Sequence, residues 1–136
     1  MSKVSILLAD DNPFILDHVR HMLERNEEFR IVASIRDPNS VLFESSKYRP
    51  DVIILDISMG DISGIDLATQ LRDGGSLSKI VFLTVHEDSD FLNAAMGAGG
   101  SAYVVKSRLS TDLASAIRAV LSGKLFVSPS MMFTGR

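Results

Sequence analysis

Acidic side chains follow two of the apolar runs of this sequence. Asp10 and Asp11 come after the run 4–9, and Asp56 comes after the run 51–55. If these runs are neighbouring strands of a parallel sheet, the three carboxylates converge at one sheet edge and raise one another's pKa. Mg²⁺ relieves such repulsion, because it prefers oxygen ligands and typically combines one or two carboxylates with phosphate oxygens.

Two further residues with useful chemistry end later apolar runs, namely Thr84 and Lys106. Aspartate is an established nucleophile that forms an aspartyl phosphate. A cation and a lysine offset the charge that spreads over the oxygens of a transferring phosphoryl group. Taken singly, each of these residues is ordinary, because adjacent acids often form a solvated loop and an aspartate often forms a turn. The joint pattern at four strand ends predicts a site that receives a phosphoryl group.

Five apolar runs supply the strands that must position these residues. They are rich in Val, Ile and Leu and cover 4–9, 30–35, 51–55, 79–84 and 101–105. Continuous apolar runs are typical of parallel strands buried on both faces. Helix-like segments separate the runs, and their predicted starts are Asn12-Pro13, Asp37-Pro38, Ser63, about Asp88 and Ser110. The alternation predicts a doubly wound, flavodoxin-like α/β fold with a five-stranded parallel sheet in the order 2-1-3-4-5 and five helices.

The composition fits one small globular domain and excludes several classes of function. The 136 residues contain no cysteine, which excludes a disulfide scaffold, a zinc–thiolate site and a thiol nucleophile. The formal charge of −3 gives no basic stripe for nucleic acid, and the apolar runs are too short to span a membrane. We therefore expect a cytoplasmic protein.

The C-terminal region is expected to leave the compact domain. Residues 1–124 are predicted to form the domain, and 125–136 the start of a linker toward an output domain that this sequence lacks. Three residues of the tail look exposed and suit a linker: Met131, Met132 and Phe133.

The motifs at the strand ends resemble the receiver domain of two-component response regulators. The matching segments are Leu8-Ala9-Asp10-Asp11-Asn12-Pro13, Asp56-Ile57-Ser58-Met59 with Gly64, Leu83-Thr84, and Ala102-Tyr103-Val104-Val105-Lys106. The resemblance covers about 3–129. The finer pattern is similar to the NarL/LuxR branch of transcriptional regulators, on Lys106-Ser107, Ile117-Arg118-Ala119-Val120 and Gly123 followed by Ser128-Pro129.

The resemblance implies a role for each residue of the site. Asp56 accepts the phosphoryl group from a histidine kinase, a phosphotransfer protein or a small acyl phosphate. Asp10, Asp11, Asp56 and the backbone carbonyl of Ser58 hold Mg²⁺. Lys106 pairs with the phosphoryl oxygens. In this interpretation the chain is a phosphoacceptor that catalyses its own phosphorylation and dephosphorylation, not a multiple-turnover enzyme.

The resemblance also implies a conformational switch and an output. The Thr84 hydroxyl moves to hydrogen-bond the phosphoryl group, and Tyr103, at the switch aromatic position, turns inward. Such a local charge event biases a two-state element. The output is transcription through a DNA-binding domain outside this sequence. Two faces stay open for a homodimer: one on the first and last helices, the other on the fourth helix and fifth strand.

Alternative functions use the same residues differently. An Mg²⁺-dependent phosphohydrolase of the haloacid-dehalogenase type requires a second aspartate two residues after the nucleophile, where this sequence has Ser58. A flavodoxin-like binding protein requires a phosphate-binding loop after the first strand, which is missing. A receiver-like interaction module that is never phosphorylated does not need the acidic cluster.

His18 and His21 are three residues apart but have no third metal ligand in register, and His86 lies near the mouth of the site.

Overall fold

A computed structural model describes residues 3–129 and 131 of the chain. In that part of the chain the strands are β1 (Val4–Ala9), β2 (Phe29–Ile35), β3 (Val52–Asp56), β4 (Ser58–Met59), β5 (Ile62–Ser63), β6 (Lys79–Thr84), β7 (Ala102–Val105) and β8 (Phe126–Val127). The α-helices are α1 (Pro13–Glu24), α2 (Val41–Tyr48), α3 (Gly64–Asp73), α4 (Ser89–Gly97) and α5 (Leu109–Leu121).

The main sheet is parallel and has the strand order β2-β1-β3-β6-β7-β8. The first five strands of that order are the predicted ones in the predicted 2-1-3-4-5 arrangement, and five helices accompany them. The sixth strand, β8, extends the sheet beyond β7. Strands β4 and β5 form a separate antiparallel hairpin directly after β3.

The sheet is buried on both faces, as the continuous apolar runs predict. Alternate residues of each strand point to opposite faces. Ile6, Val52 and Val81 pack with α1 and α5, whereas Leu7 and Ile53 pack on the other face with α3 and α4. Both layers of helices therefore hold the carboxyl ends of the strands in fixed positions.

Helix starts follow the expected capping chemistry at α1, α3 and α4. At the predicted start Asp37-Pro38, Asp37 caps a 3₁₀ turn over Pro38–Ser40, and α2 begins at Val41 without a side-chain cap. The Asn12 side chain accepts from the N–H of Phe14 at 2.9 Å, and the side chains of Ser63 and Asp88 cap α3 and α4 in the same way. The predicted cap Ser110 is wrong. A 3₁₀ turn at 106–108 leads directly into α5, so the helix begins at Leu109 and Ser110 lies in its first turn.

The segment after α5 returns to the sheet. Phe126 pairs with Ala102 and Val127 with Tyr103, so β8 covers the free edge of β7. Met131, expected to be exposed, is buried in the apolar cluster that contains Tyr103. The sequence around Met131 does not predict its burial, because Met131 packs in a cluster with strand residues that are distant in sequence. The expectations for Met132 and Phe133 lie outside the described residues, and the boundary between 1–124 and 125–136 stays a prediction.

Candidate functional site

The carboxyl ends of four parallel strands bring the predicted residues to one edge of the sheet. Asp10 directly follows β1, Asp56 is the last residue of β3, Thr84 ends β6 and Lys106 follows β7. Strand β3 lies between β1 and β6, so Asp10 and Asp56 belong to adjacent strands. Asp10, Asp56 and Thr84 are buried, whereas Asp11 is exposed at the mouth.

One lysine forms ion pairs with two buried carboxylates. Lys106 Nζ lies 2.8 Å from Asp10 Oδ2 and 3.2 Å from Asp56 Oδ2. The other oxygen of each carboxylate accepts from backbone: Asp10 Oδ1 from the N–H of Asn12 at 2.9 Å, and Asp56 Oδ1 from the N–H of Ser58 at 3.3 Å. The site therefore fixes the orientation of both carboxylates but supplies a single positive charge for the two.

This shortage of positive charge is visible in the pKa of Asp56. Burial raises the pKa of the Asp56 carboxyl from its ordinary value of 3.8 to about 6, and the negative charge of Asp10 adds to the rise. Lys106 and the N–H of Ser58 oppose this shift without cancelling it. Burial also lowers the pKa of Lys106, but the two carboxylates outweigh that effect and leave its pKa above the ordinary value. Lys106 is therefore a permanent cation at neutral pH.

The carboxylate cluster fits a hard divalent cation. Oxygens of Asp10, Asp11 and Asp56 all lie within 4.8 Å of one another. Asp10 Oδ2 is buried without a hydrogen bond of ordinary geometry, although it is ion-paired with Lys106. Mg²⁺ takes oxygen ligands of this type and keeps several waters, so an open, acidic, partly exposed cluster suits it.

Two glycines shape the backbone around Asp56. Gly64, the first residue of α3, approaches the Asp56 carbonyl so closely that an added Cβ would lie 1.9 Å from that oxygen. Gly60 adopts a left-handed conformation with φ of +63° in the turn between β4 and β5, and its N–H donates to Asp11 Oδ2 at 3.1 Å. The loop after Asp56 is thereby connected to the acidic cluster.

His86 connects the acceptor loop to the switch residues. Its N–H donates to Thr84 Oγ1 at 3.1 Å, and its carbonyl accepts from the Tyr103 hydroxyl at 2.8 Å. Its ring Nε2 lies 3.0 Å from Ser58 Oγ, and the ring stacks on Phe91 of α4 with centroids 3.9 Å apart. The sequence indicated that His86 lies near the mouth of the site but predicted none of these contacts, of which the one with Ser58 joins positions 28 residues apart.

Tyr103 lies inward in this structure. Its ring is buried, and burial together with the nearby charge of Asp88 raises the pKa of the hydroxyl to about 12, so the phenol is a neutral donor to His86. Thr84 and Tyr103 are linked through the backbone of His86, and the inward turn of Tyr103 upon phosphorylation stays a prediction.

The other histidines do not assemble into a site. His18 Nε2 lies 3.2 Å from Ser110 Oγ on α5, and His21 Nδ1 contacts the carbonyl of Asp17 at 2.8 Å. Among residues 3–129 and 131, the cluster of potential metal ligands is the acidic one described above. No helix within that range is long and apolar enough to cross a bilayer.

A doubly wound α/β domain with acids, a threonine and a lysine at the carboxyl ends of its strands defines the receiver class of signalling domains. The family model for the response regulator receiver domain matches residues 6–118. The chain belongs to this family, whose members are phosphoacceptors that receive the phosphoryl group from histidine kinases and bind Mg²⁺ through acidic residues.

The relatives in sequence are transcription regulators of the NarL/LuxR type. The chain is 27% identical over 130 residues to the transcriptional regulatory protein DegU of Brevibacillus brevis, covering 96% of this chain. It is 33% identical over 118 residues to the nitrate/nitrite response regulator NarP of Escherichia coli, covering 87% of this chain. The chain spans 55% of the length of each of these relatives.

Solved structures of the same family superpose closely. A LuxR-family two-component response regulator from Aurantimonas matches with a TM-score of 0.93 at 29% identity, covering 98% of this chain and 96% of that one. A structure of two RcsB dimers bound to two parallel DNAs matches with a TM-score of 0.90 at 26% identity, covering 98% of this chain and 68% of that one. The predicted fold and family are both confirmed.

Proposed function

We propose that Asp56 is the phosphoryl acceptor of this receiver domain. The observation that supports it best is the single Lys106 ammonium held between the buried carboxylates of Asp10 and Asp56. A phosphoryl group adds negative oxygens to a site that already has a fixed cation on one side and an acidic cluster on the other. Asp56 is the buried carboxylate that ends its strand, and it is oriented by the N–H of Ser58.

The transfer step forms one bond and breaks one. A carboxylate oxygen of Asp56 attacks phosphorus, and the P–N bond of a kinase phosphohistidine, or the P–O bond of an acyl phosphate, breaks with its electron pair on the leaving group. The reactive form of Asp56 is the ionised one, and a pKa of about 6 leaves that form dominant at neutral pH. Lys106 compensates charge on the phosphoryl oxygens, because its ammonium already lies at the reacting carboxylate.

The acidic cluster is proposed to hold Mg²⁺. Asp10, Asp11 and Asp56 supply carboxylate oxygens, and Ser58 supplies its backbone carbonyl. When bound, Mg²⁺ neutralises charge on the phosphoryl oxygens during transfer. The protein's own part is to keep three carboxylates together at one strand edge, at a cost in electrostatic repulsion that the bound cation removes.

The proposed switch passes through His86. Thr84 Oγ1 now accepts from the N–H of His86, so rotation of this hydroxyl toward a phosphoryl group breaks that bond. The carbonyl of the same residue holds Tyr103, and its ring holds Phe91 at the start of α4. A change at Thr84 therefore reaches the face formed by α4 and β7 through one residue.

The experiment is phosphorylation of the protein by acetyl phosphate, followed by intact mass. With Mg²⁺ present the wild type gains one phosphoryl group, and with EDTA it gains none. Asp56→Asn abolishes the adduct, while Asp90→Asn, which changes an exposed aspartate in the first turn of α4, leaves it intact. A folded wild type that gains no phosphoryl group contradicts the proposal and favours an interaction module. Steady hydrolysis of many phosphate esters favours the phosphohydrolase.

We propose that this receiver domain is part of a longer protein that regulates transcription. DegU and NarP are named as regulators, RcsB is described on DNA as dimers, and this chain matches only part of the length of each. DNA binding by the full-length gene product, compared before and after acetyl phosphate, tests this proposal. Binding that does not change upon phosphorylation contradicts it.

A further inference from the structure

The position of Lys106 depends on a short stretch of backbone. Lys106 directly follows β7 and opens the 3₁₀ turn at 106–108 that leads into α5. Its ammonium must reach both Asp10 and Asp56, at 2.8 and 3.2 Å. Because lysine is a long and flexible side chain, the backbone on both sides of Lys106 has to be fixed for this geometry to persist.

Ser128 fixes the backbone on the amino-terminal side. The N–H of Ser128 donates to the carbonyl of Tyr103 at 2.9 Å, which continues the pairing of β8 with β7. Two residues further along β7, the N–H of Val105 donates to Ser128 Oγ at 3.1 Å. The serine hydroxyl thus accepts the hydrogen bond that a backbone carbonyl of a neighbouring strand would otherwise accept. The last residue before Lys106 is therefore held by a side chain from the segment after α5.

The same hydroxyl reaches the carboxyl-terminal side of the turn. Ser128 Oγ donates to Asp112 Oδ2 at 2.8 Å, and Asp112 accepts from Arg108 Nε at 2.8 Å and from Arg108 Nη2 at 3.2 Å. Arg108 is the last residue of the turn that Lys106 begins. Ser128 and Asp112 are both buried.

The hydroxyl of Ser128 both donates and accepts a hydrogen bond. A serine hydroxyl has one hydrogen to donate and lone pairs to accept with. Here it donates to Asp112 and accepts from Val105, and an alanine side chain provides neither contact. A buried polar group stabilises one conformation when it is hydrogen-bonded in this way.

We propose that Ser128 is a positioning residue for Lys106, a role that rests on the phosphoacceptor function proposed above. The chain of contacts from Val105 through Ser128 and Asp112 to Arg108 encloses the turn that carries the lysine. Ser128, which lies in the segment predicted as the start of a linker, thus contributes to the geometry of the phosphorylation site.

The test compares Ser128→Ala with Ser122→Ala, the same change at an exposed serine whose hydroxyl donates to the carbonyl of Arg118 at 3.1 Å. We expect Ser128→Ala to lower the rate of phosphorylation by acetyl phosphate about 3- to 10-fold, because a misplaced group loses its contribution to the transition state. Ser122→Ala retains the wild-type rate. Amide exchange at Val105 becomes about tenfold faster in Ser128→Ala alone.

A double-mutant cycle separates positioning from general destabilisation. In a Lys106→Ala background, Ser128→Ala has no further effect on the rate, because the residue that it positions is gone. An equal fall in both backgrounds, or no fall in either, overturns the proposal. If Ser128→Ala does not fold, Ser128→Cys keeps the volume with a weak donor and acceptor, and the same cycle applies. A wild type that gains no phosphoryl group overturns the phosphoacceptor function as well, whereas a phosphorylated wild type with an unaffected Ser128→Ala overturns this inference alone.

Discussion

Asp56 and Asp112 are two buried aspartates that each face a basic side chain, at opposite ends of one short turn. They are 5% and 4% exposed, so both have given up most of their hydration. Asp112 is compensated within the fold by two bonds from Arg108 and one from Ser128. Asp56 has one bond from Lys106, a long one of 3.3 Å from Ser58, and the charge of Asp10 beside it.

The difference separates a structural carboxylate from a reactive one. A buried charge with a complete set of partners stabilises one conformation and has no capacity left for a ligand. A buried charge that shares its only cation with a second carboxylate is destabilised, and it gains from any further cation that reaches it. Burial alone therefore does not identify the acceptor, whereas the balance of partners does.

The largest expected effect is on the structural side of this comparison. Asp112→Asn places an amide donor against Arg108 or Ser128, so a buried donor loses its acceptor. We expect the free energy of unfolding to fall by about 2–4 kcal/mol. Urea denaturation measures it, and Asp90→Asn is the matched control, because exposed substitutions stay within about 0.5 kcal/mol. An Asp112→Asn protein as stable as the wild type contradicts the structural role.

The same substitution at the acceptor is expected to change the free energy of unfolding in the opposite direction. Asp56→Asn removes a carboxylate whose ionised form is disfavoured by burial and by Asp10, and Lys106 keeps Asp10 as its partner. In EDTA at neutral pH we expect the free energy of unfolding to rise by about 1–3 kcal/mol, in proportion to the raised pKa. A fall in stability would place Asp56 in the same category as Asp112.

The pH dependence sharpens this prediction. The native state holds the proton on Asp56 up to a pKa of about 6, whereas the unfolded state releases it near 3.8. Between these values the native state binds more protons, so stability falls as the pH rises. Denaturation of the wild type and of Asp56→Asn at several pH values in EDTA isolates this contribution as the difference between the two slopes, because other carboxylates such as Glu28, whose pKa is lowered, contribute to both. A wild-type slope that is no more negative than the Asp56→Asn slope in that window contradicts the raised pKa.

Much of the acceptor site could be predicted from the sequence, because strand ends determine it. Once 4–9 and 51–55 are adjacent parallel strands, Asp10 and Asp56 must meet, and the same argument brings Lys106 to that edge. The sheet order and the helices follow from apolar periodicity and from caps such as Asn12.

The hydrogen bonds that join Val105, Ser128, Asp112 and Arg108 could not be predicted in the same way. Ser128 lies beside a proline, which is typical of a linker, and its partners are 16 and 23 residues away. The Ser110 cap failed because a 3₁₀ turn starts the helix earlier than the local signal suggests. The contacts of His86 with Ser58 and Phe91 likewise depend on how the segments after β3 and β6 pack together, which no local sequence pattern predicts.

Locating the phosphoryl group tests the assignment of Asp56 as the acceptor. Borohydride reduces an aspartyl phosphate to homoserine, so reduction of the acetyl phosphate-treated protein, followed by peptide mass spectrometry, identifies the modified residue. We predict homoserine at Asp56 and unmodified aspartate at Asp112 in the same digest. Homoserine at Asp10, Asp11 or Asp112, or at no aspartate of a protein treated with Mg²⁺ and acetyl phosphate, contradicts the assignment of Asp56 as the acceptor.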